Sequence, residues 1–386
     1  MFSEHFRLKG DCRVRIGVFH PTLNMYGGAE FVALVIVNTL ARQGWDVELL
    51  VNSMVDQRKV ELMMGESVAS SVRVTVKPSP FAPKGNWEIP EAAYLTFLLK
   101  QRNDLVIDTY SNAIFPWVDV TYVHYPFLNV EDYGCRFPYV RKPRFKKLLG
   151  LPHAVFSGKL QSFRDKLIIA NSDYTAATAA RCINADIDVV YPPVPSVFFQ
   201  DSMPAVSRKP REDSVVTVSR FGLDKGLERV PIIAKMVRSK ATFKVLGLLH
   251  DPRAYALVES RVRRLGVGGR VTLQVNAPRT EVKNALKASK LYLHTMMGEH
   301  FGISIVEAMA AGCIPIVHNS GGMTEFVPPE YRYETLKEAA EIIDRSLRAW
   351  TPDVSLRMRR IAEKFKQENF AQTFSETLKN YLETKN

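Results

Sequence analysis

Gly298-Glu299-His300-Phe301-Gly302-Ile303-Ser304-Ile305-Val306-Glu307-Ala308-Met309-Ala310-Ala311-Gly312 is the stretch that decides the fold. A strand-like run, Leu291-Tyr292-Leu293-His294-Thr295-Met296, precedes it, and Cys313-Ile314-Pro315-Ile316-Val317 follows. The pattern predicts a strand, loop, helix, strand unit of a parallel sheet. Glu299 then lies in the loop and Glu307 in the early turns of the helix, both near the carboxyl end of the first strand, where open α/β sheets bind ligands. The loop and helix start offer backbone N–H groups and the positive end of the helix dipole, which suit a phosphate. Acids on either side of that phosphate can hold hydroxyl groups, so the arrangement suits a sugar linked to a nucleoside diphosphate.

Outward from this unit, both halves of the chain repeat one rhythm. The first half opens on a strand at 14–20, passes Gly27-Gly28-Ala29-Glu30 into a helix reaching Arg42, turns at Gly44 and continues as a strand at 47–51. Further strands are expected at 105–108, 120–123 and 167–170. Prolines at 192, 193 and 195 cannot continue a central strand. The second half restarts at 214–219, and strands at 242–246 and 270–273 alternate with helical stretches. Such alternation predicts two doubly wound α/β domains, at 1–190 and 214–360. Residues 191–213 connect them, and 361–386 form a helical tail.

With 386 residues the chain is long enough for two cores. Its apolar run at 31–37 is too short to span a bilayer and reads as a buried helix face. The first residues lack a signal-peptide core. Four cysteines without a C-x-x-C pair indicate neither a zinc site nor a disulfide framework. These features lead to the expectation of a cytoplasmic protein. The net charge of +12 is concentrated: between positions 136 and 166 stand nine Lys or Arg and one acid, interleaved with Phe137, Tyr139, Phe145, Leu148, Leu149 and Phe156. That mixture suits an anionic membrane surface. It would also suit nucleic acid or a solvated loop.

Three further segments carry chemistry. Ser219-Arg220-Phe221-Gly222-Leu223-Asp224-Lys225-Gly226 places an Arg and a Lys five apart after a strand. Cations there can stabilise the charge growing on a departing diphosphate. Gly27 and Gly28 let backbone approach a ligand closely. His124, in Tyr122-Val123-His124-Tyr125-Pro126, ends a strand of the first half.

The eight-residue spacing of Glu299 and Glu307, with Phe301-Gly302, the Glu-Ala-Met-Ala-Ala-Gly run and Asn319-Ser320-Gly321-Gly322 around it, resembles the E-x7-E motif of the retaining glycosyltransferases of family 4. Arg220 and Lys225 are similar to that family's Arg-x4-Lys-Gly signature, and Gly27-Gly28-Ala29-Glu30 to its first glycine loop. The resemblance implies the GT-B fold: two Rossmann-like domains facing across a cleft, with the last helix crossing back onto the first. It implies that Glu299 holds sugar hydroxyls and Glu307 the ribose, while N–H groups of Gly302, Ile303 and Ser304 meet the diphosphate. Arg220 and Lys225 would neutralise it in a metal-free site without a cofactor. Gly27 and Gly28 would face the donor, and His124 would contact its sugar near the reacting centre.

Tyr122 to Pro126 together with Glu299-His300-Phe301-Gly302-Ile303 are similar to the branch of mannosyltransferases that extends a lipid-linked oligosaccharide on a cytosolic membrane face. This resemblance implies GDP-mannose as favoured donor, a lipid-linked acceptor, and peripheral attachment to the cytosolic face through 136–166. Gly247-Leu248-Leu249-His250-Asp251 has one glycine where many family members have two, so guanine and uracil both stay open. A UDP-sugar donor is the alternative. A non-catalytic basic protein binding nucleic acid is the rival of another class, opposed by the intact Arg220, Lys225, Glu299 and Glu307.

Overall fold

The computed structural model describes residues 14–78, 88–125, 163, 165–181, 185–200 and 211–385. Most of the basic stretch at 136–166, and with it the expected membrane contact, lies outside the described residues. The chain divides into two units, Met1–Pro193 with Gln367–Asn386, and Val194–Lys366.

The first unit is built on β1 (Arg15–Phe19), β2 (Asp46–Val51), β3 (Arg73–Val76), β4 (Leu105–Asp108), β5 (Val120–Val123), β6 (Leu167–Ala170) and β7 (Asp188–Val189). They pair in the order β3-β2-β1-β4-β5-β6-β7, every pair parallel. Helices α1 (Gly28–Arg42), α2 (Gln57–Met64), α3 (Glu88–Lys100) and α4 (Asp173–Ala180) connect them. Strands covered on both faces read as continuous apolar runs, and β4 to β6 are buried at every position.

The apolar run expected to be one buried face of a helix is buried all round, from Glu30 to Leu40. The reason is the C-terminal helix. α1 packs against β2 on one side and against the last helix, Gln367–Lys385, on the other. A helix apolar on all sides needs such cover. Phe370, Phe374 and Leu378 supply the cover, and Gln43 Nε2 donates to Ser375 Oγ at 2.6 Å.

The second unit contains β8 (Glu212–Val218), β9 (Thr242–Gly247), β10 (Val271–Val275), β11 (Ser289–Leu293), β12 (Ile314–His318) and β13 (Arg332–Tyr333). Their order is β10-β9-β8-β11-β12-β13, again parallel throughout. Between them run α5 (Arg229–Met236), α6 (Pro252–Leu265), α7 (Arg279–Ala288) and α8 (Ile303–Ala310); α9 (Leu336–Arg348) and α10 (Pro352–Ala362) follow β13, and α11 (Gln367–Lys385) completes the first unit. Each sheet has the doubly wound order that reverses direction beside its first strand.

Several boundaries differ from the sequence reading. β11 ends at Leu293, not 296, because Thr295 turns out of the ladder: its hydroxyl donates to Lys225 O and its carbonyl accepts from Arg229 Nη1. Within the tail, Glu363–Phe365 form a 3₁₀ turn and the last helix starts only at Gln367. Part of the segment read as interdomain connection belongs to the second unit. Val194 N–H donates to Phe365 O at 2.9 Å, and Phe198 is buried. The units therefore separate after Pro193 and after Lys366.

Candidate functional site

In the second unit the sheet order reverses between β8 and β11, and the loops leaving these two strands carry the charged motifs. The loop after β8 forms a 3₁₀ turn, Leu223–Lys225, closed by Gly226. Thr295 fixes its end from the β11 side through the bond to Lys225 O. The Lys225 ammonium is thereby set 2.9 Å from Glu299 Oε2 and 3.2 Å from Met296 Sδ. His294 Nε2 stands 3.4 Å from the same carboxylate oxygen, and His300 N–H donates to Oε1 at 3.2 Å. Burial alone would raise the Glu299 pKa. The Lys225 charge and the His294 contact outweigh it and hold the carboxyl well below its ordinary range.

The backbone of Glu299 is seated as firmly as its side chain. Gly322 N–H donates to Glu299 O at 2.9 Å, and Gly298 N–H donates to Ser320 Oγ at 2.9 Å. Gly321 has φ +83°, and a Cβ there would stand 2.2 Å from Glu299 O, so the Asn319-Ser320-Gly321-Gly322 loop approaches the acid as no other residue allows.

Helix α8 begins at Ile303, capped by Gly302 at φ +92°. N–H groups of a helix's first turn have no intrahelical partner, which leaves those of Ile303 and Ser304 available to an anion. Ser304 Oγ donates to Tyr292 Oη at 2.8 Å, since the tyrosine proton is committed to Val218 O at 3.1 Å. Glu307 lies one turn further, buried, its Oε1 accepting from Arg279 Nη1 at 2.8 Å.

The structure thus brings Lys225, Glu299 and His294 into one contact group. The other two charged residues are tied elsewhere: Arg220 pairs with Asp224 at 2.8 Å, and Glu307 with Arg279. His294, Asp224 and Arg279 were not picked out from the sequence. Asp224 and His294 stood inside quoted motifs without a stated role. Arg279, twenty-eight positions before Glu307, gave no signal, since nothing in linear spacing shows that α7 packs beside α8.

The first-unit residues gather at the corresponding reversal, between β1 and β4. Gly27 caps α1, and its N–H donates to Glu30 Oε2 at 3.0 Å. Glu30 Oε1 faces His20 Nε2 at 3.8 Å. Burial raises the Glu30 pKa, but His20, a backbone hydrogen bond and His124 together offset this and hold it below the ordinary value. His20 Nδ1 lies 2.9 Å from Thr109 Oγ1, whose proton goes to Phe19 O, so the ring nitrogen is the donor. His124 Nε2 donates to Thr109 O at 2.9 Å, and Asn171 and Asn112 hold its backbone. Burial, with the nearby His20, pushes the His124 pKa down to about 4, so the ring is neutral at pH 7. Gly28 is the first residue of α1. Among the described residues, no group of three or more His, Cys, Asp or Glu is arranged to hold a metal ion, and no helix is long and apolar enough to cross a membrane.

Comparison with known proteins agrees with this geometry. A family model described as glycosyl transferases group 1 matches residues 199–366. A second, Glycosyltransferase Family 4, matches 26–196. The chain is similar to the GDP-Man:Man(3)GlcNAc(2)-PP-Dol alpha-1,2-mannosyltransferase of Xenopus tropicalis, at 26% identity over 83% of this chain and 76% of the relative. The protein of the same name from Homo sapiens is 25% identical over 95% of this chain and 86% of its own length. Among solved structures, WaaG, a glycosyltransferase involved in lipopolysaccharide biosynthesis, superposes with TM-score 0.69 at 16% identity, covering 94% of this chain and 98% of that one. The sucrose-phosphate synthase of Thermosynechococcus elongatus gives 0.74 at 15% identity, covering 96% and 100%. These likenesses establish the GT-B fold.

Proposed function

Because this chain belongs to the glycosyltransferases of group 1 and family 4, we propose that it moves mannose from GDP-mannose, with retention at the anomeric carbon, to a lipid-linked glycan. The observation that carries the reading is the contact of Lys225 with Glu299 at the reversal point of the second sheet. Lys225, its side chain 17% exposed, is held beside that carboxylate, and in this reading it meets the diphosphate that lies against the N–H groups of α8. Glu299 accepts from sugar hydroxyls, and Glu307 from those of the ribose. Arg220 leaves Asp224 for the diphosphate; its side chain is 42% exposed and able to turn.

In this reaction the bond from C1 to the β-phosphate oxygen breaks, and a bond from C1 to the acceptor oxygen forms on the same face. The acceptor proton passes to the departing diphosphate. The protein supplies position and charge, with neither a covalent nucleophile nor a metal. Mannose, GDP and the lipid-linked acceptor are favoured by the names of the relatives, and peripheral contact with a membrane by that acceptor.

A thermal-shift panel of GDP, UDP, ADP, GDP-mannose, UDP-glucose and UDP-N-acetylglucosamine tests the donor. At a hundred times its dissociation constant the true ligand stabilises by about 2.7 kcal/mol. Midpoint shifts with GDP and GDP-mannose are expected. Shifts confined to the uridine nucleotides would replace guanine by uracil. Transfer of labelled mannose to a lipid-linked oligosaccharide, with the product sensitive to an α-mannosidase, tests acceptor and retention together. A β-linked product would overturn retention.

A further inference from the structure

Glu307 is 3% exposed, yet among the described residues its carboxylate is met by a single cation, and that cation comes from a different helix. Arg279, the first residue of α7, donates from Nη1 to Oε1 at 2.8 Å; the two side chains are 15% and 4% exposed. Arginine usually grips a carboxylate with both prongs of its fork. Here the grip is one-pronged, and among the described residues Oε2 accepts no hydrogen bond.

The guanidinium is itself held in place. It lies 5.5 Å over the ring of Phe198, which is 1% exposed. The Phe198 and Phe199 carbonyls accept from Arg359, and Arg359 also donates to Ala310 O, at the end of the helix that carries Glu307. Both partners of the pair are therefore fastened to one frame through Arg359. A flexible surface pair has no such frame, and holding two long side chains in one geometry then costs side-chain entropy.

Resting on the reading of Glu307 as the ribose holder, we propose that Arg279 is the positioning residue that occupies Oε1 of Glu307 and turns Oε2 toward the ribose hydroxyls of the donor. Its effect is specificity for a ribonucleotide. With Oε1 occupied and the carboxylate plane fixed, the free oxygen meets the diol at one orientation. Without Arg279, the carboxylate rotates and the hydroxyls lose their fixed acceptor.

The test uses the full chain and isothermal titration with GDP and 2′,3′-dideoxy-GDP, or with the corresponding uridine pair if the donor panel selects uracil. In the unchanged protein the ribonucleotide should bind about ten- to a hundredfold tighter, the range for hydrogen bonds to a charged group. Arg279→Met should bring that preference within about threefold of unity. It should also raise KM for the nucleotide-sugar while kcat stays within about threefold, as for an interaction made equally in ground and transition states. Arg279→Lys keeps a charge but not the planar stack on Phe198, and should lower the preference at least threefold.

Glu307→Gln separates the two levels of the argument. If Glu307→Gln keeps the full preference, Glu307 does not hold the ribose, and the role of Arg279 falls with that reading. If Glu307→Gln loses the preference while Arg279→Met keeps it, the positioning role alone is overturned. Should Arg279→Met fail to fold, full preference in Arg279→Lys overturns it.

Discussion

At the scale of single residues, the sharpest consequence concerns Lys225. Replacing it with Met keeps the stem and removes the charge. Turnover should fall about a hundred- to a thousandfold, the usual cost of deleting one preorganised group aimed at transition-state charge; unchanged turnover would remove Lys225 from the mechanism. Stability should respond as well, because Glu299 is left with His294 as its main partner. A carboxyl with a depressed folded pKa contributes stability above its unfolded value of about 4.3, and that contribution is lost as pH falls through the folded value. Urea unfolding should therefore show the largest gap between Lys225→Met and the unchanged chain at neutral pH, shrinking below the ordinary carboxylate range. His124 works in the opposite chemical sense. Its folded pKa of about 4 lies below the ordinary 6.5, so between those values the unfolded chain binds more protons and stability rises with pH. The half-buried ring keeps some hydration, and the slope should amount to about 2 kcal/mol across that window. His124→Asn should flatten this part of the pH profile; an identical profile would show that the ring does not titrate there. Lys225, Glu299 and His124 were all legible in the sequence, because motif spacing marks residues that loops present at strand ends. The partners that set their charge were not. His294 meets Glu299, His20 lies beside His124, and Arg279 meets Glu307, all through tertiary packing, which linear order does not encode.

At the scale of elements, the strands of both sheets were legible where they are apolar and buried, as in Leu105–Asp108 and Leu167–Ala170. Those missed are the short outer ones, Arg73–Val76, Asp188–Val189 and Arg332–Tyr333, whose composition is half polar and whose length gives no period to read. Helix α8 was legible as a helix, but the reason for its starting point is visible only in three dimensions. Gly302 holds φ +92°, and a Cβ there would lie 2.5 Å from Ile305 Cδ1. Ala at such a backbone costs about 1–2 kcal/mol, or about 2–8 °C of midpoint for a unit of this size. Gly302→Ala should lower the midpoint by that amount and also weaken nucleotide binding, because the first N–H groups of α8 move with the cap. Gly266→Ala is the control. That glycine closes α6 at φ +64° with nothing within 4 Å of the added carbon, so strain is present without displacement of the site. Equal loss of nucleotide affinity in both variants would show that strain alone, and not the position of α8, governs binding.

At the scale of the whole molecule, the chain path makes the second unit an insertion in the first. Residues Val194–Lys366 leave and return at neighbouring points, since Val194 pairs with Lys366 and its N–H bonds Phe365 O. The first unit is split, and its last piece is α11. Two Phe and one Leu of α11 are buried, each worth about 1.5–3 kcal/mol on burial. Together they amount to about 5–9 kcal/mol by that scale, comparable with the entire stability of an ordinary domain. Gln367 Nε2 to Glu66, Tyr381 O–H to Asp165 O and Lys385 to Asp119 fix the helix at three further points. The two units should therefore respond differently to excision. Residues 194–366 alone should unfold cooperatively in urea and, carrying Lys225, Glu299 and Glu307, bind GDP within about tenfold of the full chain. Residues 1–193 alone expose the α1 face that α11 covers, and should show no cooperative transition until a peptide spanning 367–386 is added. Independent folding of 1–193 would show that α11 is an accessory to that unit. Loss of folding in 194–366 would show that its closed ends do not make it autonomous.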